Sequence, residues 1–495
     1  MASHFSTLLI MAPCRRLQFN LSDLYPVPRL GLGYLSATLK ANGYPRTQIR
    51  DLIALREWIP GLLAHLEEVG PPDLLGLSVT LLSLREAFDL ARAVKGRFPA
   101  VKVVVGGPGV GFSAKTLLSY GESVDFFVRG EGEAAMLALV RALDARAEGD
   151  GAGQGDEASP GALRDALAGV PGLLWRDGGD ARENPRGPFR ELDDGIFQDY
   201  AAQPLGSYRL HPPMGVFGPA TMMETARGCS FPCEFCCLSM PVRTRGVESV
   251  LREVSQLTAR YGYREIHFVD PTFTLNRERA LQLCEALTPL GIRWSCKTRV
   301  DRIDEALAVA MARSGCYLIA FGVESGDDAI LSQLGKRADA DQALDAFEIC
   351  RRHRIRTTAY LLVGNPGETD ETVEANVAWV RRLRPDYVLY DVLQADPLNP
   401  MTRDAIAAGL FSEADLERYY LSEDPTRLSE VTVVGHPVPT TQRWLKRCSA
   451  AFYARPGYVL DKIRDLRSLQ DVKNLGVGGF ALLRDAAGVG RLWQT

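Results

Sequence analysis

The stretch Thr225-Ala-Arg-Gly-Cys229-Ser-Phe-Pro-Cys233-Glu-Phe235-Cys236 sets three cysteines at C-x3-C-x2-C spacing, in a Gly- and Pro-bearing loop that follows a short apolar run. Three closely spaced thiolates suit a soft metal centre. A four-iron cluster takes cysteine thiolates as ligands, so three of them leave one iron open to something that is not protein, and an open iron is a place for chemistry. Two plainer readings compete. Structural zinc wants four Cys or His ligands; no second C-x2-C pair follows, and no histidine lies between His211 and His267. Cys237 could be a fourth ligand, although a residue adjacent to Cys236 tends to point away from the loop's shared centre. A disulfide framework suits the pattern poorly, because outside this loop the cysteines are scattered through apolar segments.

Elements must place that loop. Strand-like runs at 6–12, 47–53, 74–79, 101–105 and 124–128 alternate with helical patterns at 31–42, 57–68, 84–97, 114–120 and 133–146. This alternation predicts a doubly wound, Rossmann-like α/β domain over residues 1–147, with helices on both faces of a parallel sheet. Ligands of such sheets bind at the carboxyl ends of the strands. The loops there carry Ser78 and Thr80, then Gly106 and Gly107, then Gly130 and Glu131. Glycines would let a large ligand approach the backbone, and they are equally ordinary turn residues.

Residues 148–215 read as a linker and connector. The Gly/Asp/Glu-rich run from 148 to 160 lacks periodicity. The run Pro171-Gly-Leu-Leu-Trp175 suggests a small hairpin packed on the first domain. From 216 to 420 the βα alternation resumes, with strands expected at 221–225, 265–269, 293–297, 317–323, 357–363 and 387–393. An eight-unit barrel needs roughly 250 residues, so this shorter region suits a partial (β/α)6 barrel with its working groups at the C-terminal strand ends. The cysteine loop lies at such an end. Residues 421–495 are expected to form a mainly helical C-terminal cap.

The 495-residue chain is 46% hydrophobic and 24% charged, with a formal net charge of −4. It reads as a globular protein of two or three domains. Without a long basic run it gives no reason to expect nucleic acid as a partner. No apolar stretch is long enough to predict a transmembrane segment. The run before Cys14 reads as a first strand and not a signal, so the expected location is cytoplasmic.

With these residues in view the chain resembles the cobalamin-dependent radical S-adenosylmethionine (SAM) enzymes, and within them the class B methyltransferases. The resemblance rests on the cysteine triplet with Phe235 before its third member. It rests also on Phe268-Val-Asp270-Pro-Thr-Phe-Thr274, Arg299 in Lys297-Thr-Arg-Val-Asp301, Gly322-Val-Glu324-Ser-Gly326 and Gly364-Asn-Pro-Gly-Glu-Thr369, in family order at expected strand ends. In the first domain it rests on Pro28-Arg-Leu-Gly-Leu-Gly33-Tyr34, Gly76-Leu-Ser-Val-Thr80, Val105-Gly-Gly107 and Gly130-Glu-Gly-Glu133. It covers residues 1 to about 420. No Asp-x-His-x-x-Gly occurs in the first domain, so no histidine is expected to ligate cobalt. Pro271 stands where relatives often carry a second acid, and Pro397-Leu-Asn-Pro-Met-Thr402 replaces a common Gly-Thr turn.

The resemblance implies a [4Fe-4S] cluster on Cys229, Cys233 and Cys236. It implies SAM contacts from Phe235, Asp270, Thr274, Arg299 and Glu324, with Asn276 as a weaker candidate. Cobalamin contacts would come from Gly33, Ser78, Thr80, Gly106, Gly107, Gly130 and Glu131. One SAM would methylate cobalamin, giving methylcobalamin, and a second would yield the 5′-deoxyadenosyl radical that activates the substrate. The implied reaction is C-methyl transfer to an unactivated carbon of a small or lipid-like molecule, as in natural product biosynthesis. An electron donor such as flavodoxin or ferredoxin would serve it. A cobalamin-dependent oxidative cyclase or ring-rearranging enzyme is the alternative, and a cobalamin-binding sensor with a degenerate barrel is the alternative of another class. No residue is assigned as the catalytic group.

Overall fold

The computed structural model describes residues 3–13, 27–55, 57–151, 160–205, 208, 220–238, 240–422, 434–464, 472 and 476. Residues 152–159 of the expected linker, and the end of the expected cap, lie outside these residues. The chain divides into two compact units. The first comprises residues 1–18, 28–208 and 417–425, and the second comprises 19–27, 209–416 and 426–495.

The first unit is built on apolar runs that alternate with helices. Its strands are β1 (Thr7–Met11), β2 (Thr47–Asp51), β3 (Leu74–Ser78), β4 (Lys102–Gly106) and β5 (Phe126–Val128). Runs such as Val103–Val104–Val105 do not alternate with polar residues, and all three side chains are buried. Only a sheet covered on both faces accommodates that pattern. The covering helices are α1 (Leu30–Ala41), the short α2 (Leu52–Leu55), α3 (Ile59–Val69), α4 (Leu84–Arg97), α5 (Ala114–Tyr120) and α6 (Gly132–Gly151). The five strands are parallel in the order β2-β1-β3-β4-β5. The order reverses between β1 and β3, which is the switch point where such sheets bind ligands.

After α7 (Pro160–Ala168), the hairpin β6 (Leu173–Asp177) and β7 (Asp180–Glu183) extends the same sheet. β6 runs antiparallel to β5, giving seven strands in all. Residues 160–208, expected as a connector, thus group with the first unit. One core of Leu9, Leu39, Leu74, Val104, Leu139, Val140, Leu173 and Trp175 joins the strands to their helices. A Leu-to-Ala change in such a core costs about 2–5 kcal/mol.

The second unit holds six parallel strands. They are β8 (Ala220–Met223), then, beyond the hairpin β9 (Ala226–Cys229) and β10 (Met240–Thr244), β11 (Glu265–Phe268), β12 (Arg293–Arg299), β13 (Cys316–Glu324), β14 (Arg356–Val363) and β15 (Tyr387–Val392). Their order β15-β14-β13-β12-β11-β8 leaves the sheet open, as a partial barrel. Between them run α8 (Val247–Tyr261), α9 (Arg277–Leu287), α10 (Glu305–Arg313), α11 (Asp328–Gln333), α12 (Ala340–Arg352) and α13 (Asp370–Leu383).

Several of these helices begin on a side-chain cap that satisfies a backbone N–H left without an intrahelical partner. Asn276 caps α9 through Arg279 N, Asp304 caps α10 through Leu307 N, and Asp339 and Thr369 form capping boxes at α12 and α13. Helices α14 (Pro400–Ala407) and α15 (Glu413–Leu421) follow β15, then α16 (Val438–Tyr453) and α17 (Pro456–Arg464). The described part of the expected cap packs along β15 and α13: Tyr453 Oη bridges Val388, and Trp444 Nε1 donates to Asp370. It flanks the edge of the sheet.

Candidate functional site

Cys229 closes β9, and the cysteine loop leaves from there. The residue before it, Gly228, sits at φ +86°, and a Cβ there would lie 2.2 Å from the Pro241 carbonyl of β10. Only glycine fits both demands. The loop is then tied down from several directions. Cys236 N turns back to Cys233 O at 3.1 Å, Glu234 N reaches Leu334 O at 3.1 Å, and Met401 N reaches Glu234 O at 3.1 Å. Asn399 both caps α14 through Thr402 N at 2.7 Å and donates to Phe235 O at 3.4 Å. The Pro397–Thr402 segment, which departs from the family pattern, is therefore a brace for the cysteine loop.

Arg299, at the end of β12, lies over the Phe231 ring at 3.8 Å, and its Nη1 lies 3.9 Å from Cys233 Sγ. Its Nε donates to Asp301 at 2.8 Å and its Nη2 donates to Lys336 O. Lys336 in turn donates its ammonium to Glu324 Oε1 at 2.7 Å. Glu324 ends β13 at φ +68°, an uncommon conformation for a residue with a side chain. A Cβ on Gly322 would meet Glu324 Oε1 at 2.7 Å and Lys336 Nζ at 2.9 Å, so the ion pair lies directly over bare backbone. Cys233, Arg299, Lys336 and Glu324 thus form one connected set.

Burial pushes the Cys233 thiol up, partly offset by the charges of Lys336 and Arg299. Burial also pushes Cys236 up, to about 11. Thiols in such surroundings hold their protons until a metal displaces them. Among the described residues no three His, Cys, Asp or Glu side chains converge on a single-ion site. A cubane does not ask for that convergence, because each cysteine takes a different iron. The donor set of three partly open thiols on one braced loop fits a cluster better than it fits zinc.

The other expected SAM residues separate. Asp270 is fully buried and accepts from Thr225 N at 2.6 Å, from Ala226 N at 3.0 Å and from the Thr225 hydroxyl. Burial raises its pKa, against those hydrogen bonds and the charge of Arg279. It anchors the turn that leads into the cysteine strand. Thr274 is buried, with its hydroxyl bonded to Thr298. Thr298 pairs in register with Phe321, whose ring meets Phe347 of α12, so Thr274 lies on the helix side of the sheet. Asn276 is spent as a cap. Lys336 and Asn399 were not among the expected residues. Neither ends a strand, and no local spacing announces them.

At the carboxyl edge of the first unit, Ser78 and Gly106 end β3 and β4, Thr80 and Gly107 come just after them, and Gly130 and Glu131 follow β5. Gly107, at φ +106°, packs against Val79: a Cβ would meet Val79 O at 2.7 Å. Thr80 is engaged with Ser83 in a capping box, and Glu131 accepts from Arg190 N at 2.7 Å. Gly33 lies in the first turn of α1, beneath Gln203 and Gln198. Gln203 is buried, yet neither of its amide atoms has a hydrogen-bond partner among the described residues. Such a group asks for a ligand that can donate and accept, and the amide-fringed corrin ring is one. Of the histidines in this unit, neither His4 nor His65 ends a strand.

Residues 223–380 match the radical SAM superfamily, and residues 20–140 match the B12 binding domain. The chain carries a radical SAM domain and a B12-binding domain. Its cofactors are a [4Fe-4S] cluster, SAM and cobalamin. This radical SAM protein is 29% identical over 444 residues to an uncharacterized methyltransferase of Pyrococcus horikoshii, covering 88% of this chain and 90% of the relative. It is 25% identical to the anaerobic magnesium-protoporphyrin IX monomethyl ester cyclase of Cereibacter sphaeroides, spanning 60% of that protein. Among solved structures, the radical SAM methyltransferase TsrM from Kitasatospora setae shares the fold, with a TM-score of 0.63 at 20% identity, covering 82% of this chain and 78% of that one. No helix among the described residues is long and apolar enough to cross a membrane.

Proposed function

We propose that this cobalamin-dependent radical SAM enzyme is a C-methyltransferase that places a methyl group on an unactivated carbon of a small or lipid-like substrate. One observation carries the reading: a three-thiol loop suited to a cluster with an open iron shares a chain with a B12-binding domain. The relative named a methyltransferase, at 29% identity over most of both chains, supports it. Bound together, the three cofactors supply reductive cleavage of SAM and a transferable methyl group.

The chain's own residues do the positioning. Cys229, Cys233 and Cys236 hold the cluster, and Arg299 and Asn399 brace their loop. Glu324 and Lys336 present a charge pair at the adjoining strand end, where the amino, carboxylate and ribose groups of SAM can be held. The net conversion consumes two SAM and two electrons per methyl placed. Its products are the methylated substrate, S-adenosylhomocysteine, 5′-deoxyadenosine and methionine, and the electrons come from a donor such as flavodoxin or ferredoxin.

The cyclase relatives keep a second reading in view, in which no methyl moves. Anaerobic turnover of the reconstituted, cobalamin-loaded protein separates the two. A methyltransferase forms both S-adenosylhomocysteine and 5′-deoxyadenosine from SAM. Formation of 5′-deoxyadenosine alone rejects the methyltransferase and favours the cyclase.

A further inference from the structure

Neighbouring strands in a parallel sheet hold register partners side by side on one face. Phe268 packs on Phe273 and Trp294, and Phe321 packs on Phe347, which marks the face covered by helices. The alternate residues therefore line the concave face in rows. A low row runs His267, Ser295, Leu318, Arg356, one row above Glu265 and Arg293. Above it come Lys297, Ala320, Thr358 and Tyr387, and then Arg299, Gly322, Tyr360 and Leu389. The cysteine loop, Arg299 and Glu324 belong to the upper end.

The lower rows hold cations that the cluster site does not use. Lys297 makes no hydrogen bond or ion pair through its ammonium among the described residues, and it is half-buried. Burial lowers its pKa, with no carboxylate near enough to oppose the effect. His267, one row below on the adjacent strand, is buried at 1% exposure. Its Nδ1 meets Ser295 Oγ at 2.8 Å, while its Nε2 has no partner among the described residues. Burial first, and then the charge of Lys297, lowers His267 to about 3, so the ring is neutral and Nε2 can donate in the matching tautomer. Arg356, in the same row, has no ion pair among the described residues.

The nearby acids are placed differently. Glu265 is bonded to the Tyr317 hydroxyl, Glu324 is taken by Lys336, and Asp391 lies on the upper rim beside Leu362. A half-buried cation without a counter-charge, beside an orphaned buried ring nitrogen, is costly unless something anionic completes it.

We propose that Lys297 and His267 form an anion-binding subsite on the floor of the barrel, which takes a carboxylate or phosphate carried by the substrate. The proposal rests on the reading that a substrate enters this concave face. It narrows the substrate to one bearing an anionic group some distance from the reacting carbon. Its position, two rows of residues below Glu324, puts it away from the strand ends where the cluster loop sits.

The test is protection of Lys297 from an amine-acylating reagent, read by peptide mass spectrometry on the anaerobic cluster- and cobalamin-loaded protein. Inorganic phosphate, acetate or SAM is added at matched ionic strength. A saturable site occupied at ten times its dissociation constant slows labelling about tenfold. The expected result is protection by phosphate or acetate, with SAM alone giving none. Protection by SAM alone overturns the proposal, because the amine then serves the SAM carboxylate. Absence of protection by either oxyanion, or an amine that does not label at all, overturns it too.

A second readout is the phosphate-dependent rise in Tm, which Lys297→Arg should keep and Lys297→Met should lose. Assaying SAM products in the same preparations distinguishes the two claims. If both SAM products form while oxyanions fail to protect Lys297, the subsite fails and the methyltransferase stands. If oxyanions protect while only 5′-deoxyadenosine forms, the reverse holds.

Discussion

Lys336 and Glu324 form a buried ion pair, 2.7 Å from Nζ to Oε1, lying over the bare backbone of Gly322. The main chain of the same lysine accepts from Arg299, whose guanidinium reaches the Cys233 sulfur. The pair therefore couples the end of β13 to the cysteine loop.

Removing one partner strands the other charge. Lys336→Met should destabilise the second unit by about 3–5 kcal/mol, and adding Glu324→Gln should recover much of that loss. Urea unfolding of the single and double variants checks it. Additive losses would mean that the two side chains do not act as a pair.

Gly228→Ala should disrupt the β9–β10 hairpin, since it adds a Cβ 2.2 Å from the Pro241 carbonyl and a left-handed φ to be paid by an L side chain. Iron and acid-labile sulfide per chain should fall well below the level of the parent protein after identical reconstitution. Full cluster content in this variant would show that the hairpin does not set the loop.

Much of this was legible in the sequence, and the exceptions have physical reasons. A strand such as β4 is marked by its unbroken Val103-Val-Val105 run, and the cysteine spacing locates the cluster loop. The hairpin did not, because Ala226-Arg-Gly-Cys229 has neither alternation nor an apolar run. Asp270 and Thr274 show a different limit. A strand-end position says that a residue is near the site, but not which way its side chain points. Asp270 turns inward to hold Thr225, and Thr274 turns toward the helices. Lys336 and Asn399 reach the loop from turns far along the chain, through contacts that only tertiary structure creates.

Cys233→Ala should abolish cluster binding and all SAM cleavage. Cys237→Ala should leave both close to the parent level, because Cys237 is exposed while the three ligand candidates are only partly so. Cluster absorbance and 5′-deoxyadenosine yield decide the matter. Equal losses in the two variants would make Cys237 a ligand.

Asn399→Ala removes the cap of α14 and the donor to Phe235 O together. Loss of the cap alone costs about 1 kcal/mol. Loss of the second bond should loosen the loop, so the cluster should bleach faster when a chelator is added. An unchanged bleaching rate would assign Asn399 to the helix only.

A methyltransferase of the proposed kind passes a methyl group from SAM through cobalamin. The most direct measurement supplies SAM with a deuterated methyl group to the anaerobic, cobalamin-loaded protein, extracts the cobalamin in the dark and records its mass. The expected product is cobalamin carrying the deuterated methyl group. Cobalamin that stays unlabelled while 5′-deoxyadenosine accumulates would contradict the proposed methyl transfer.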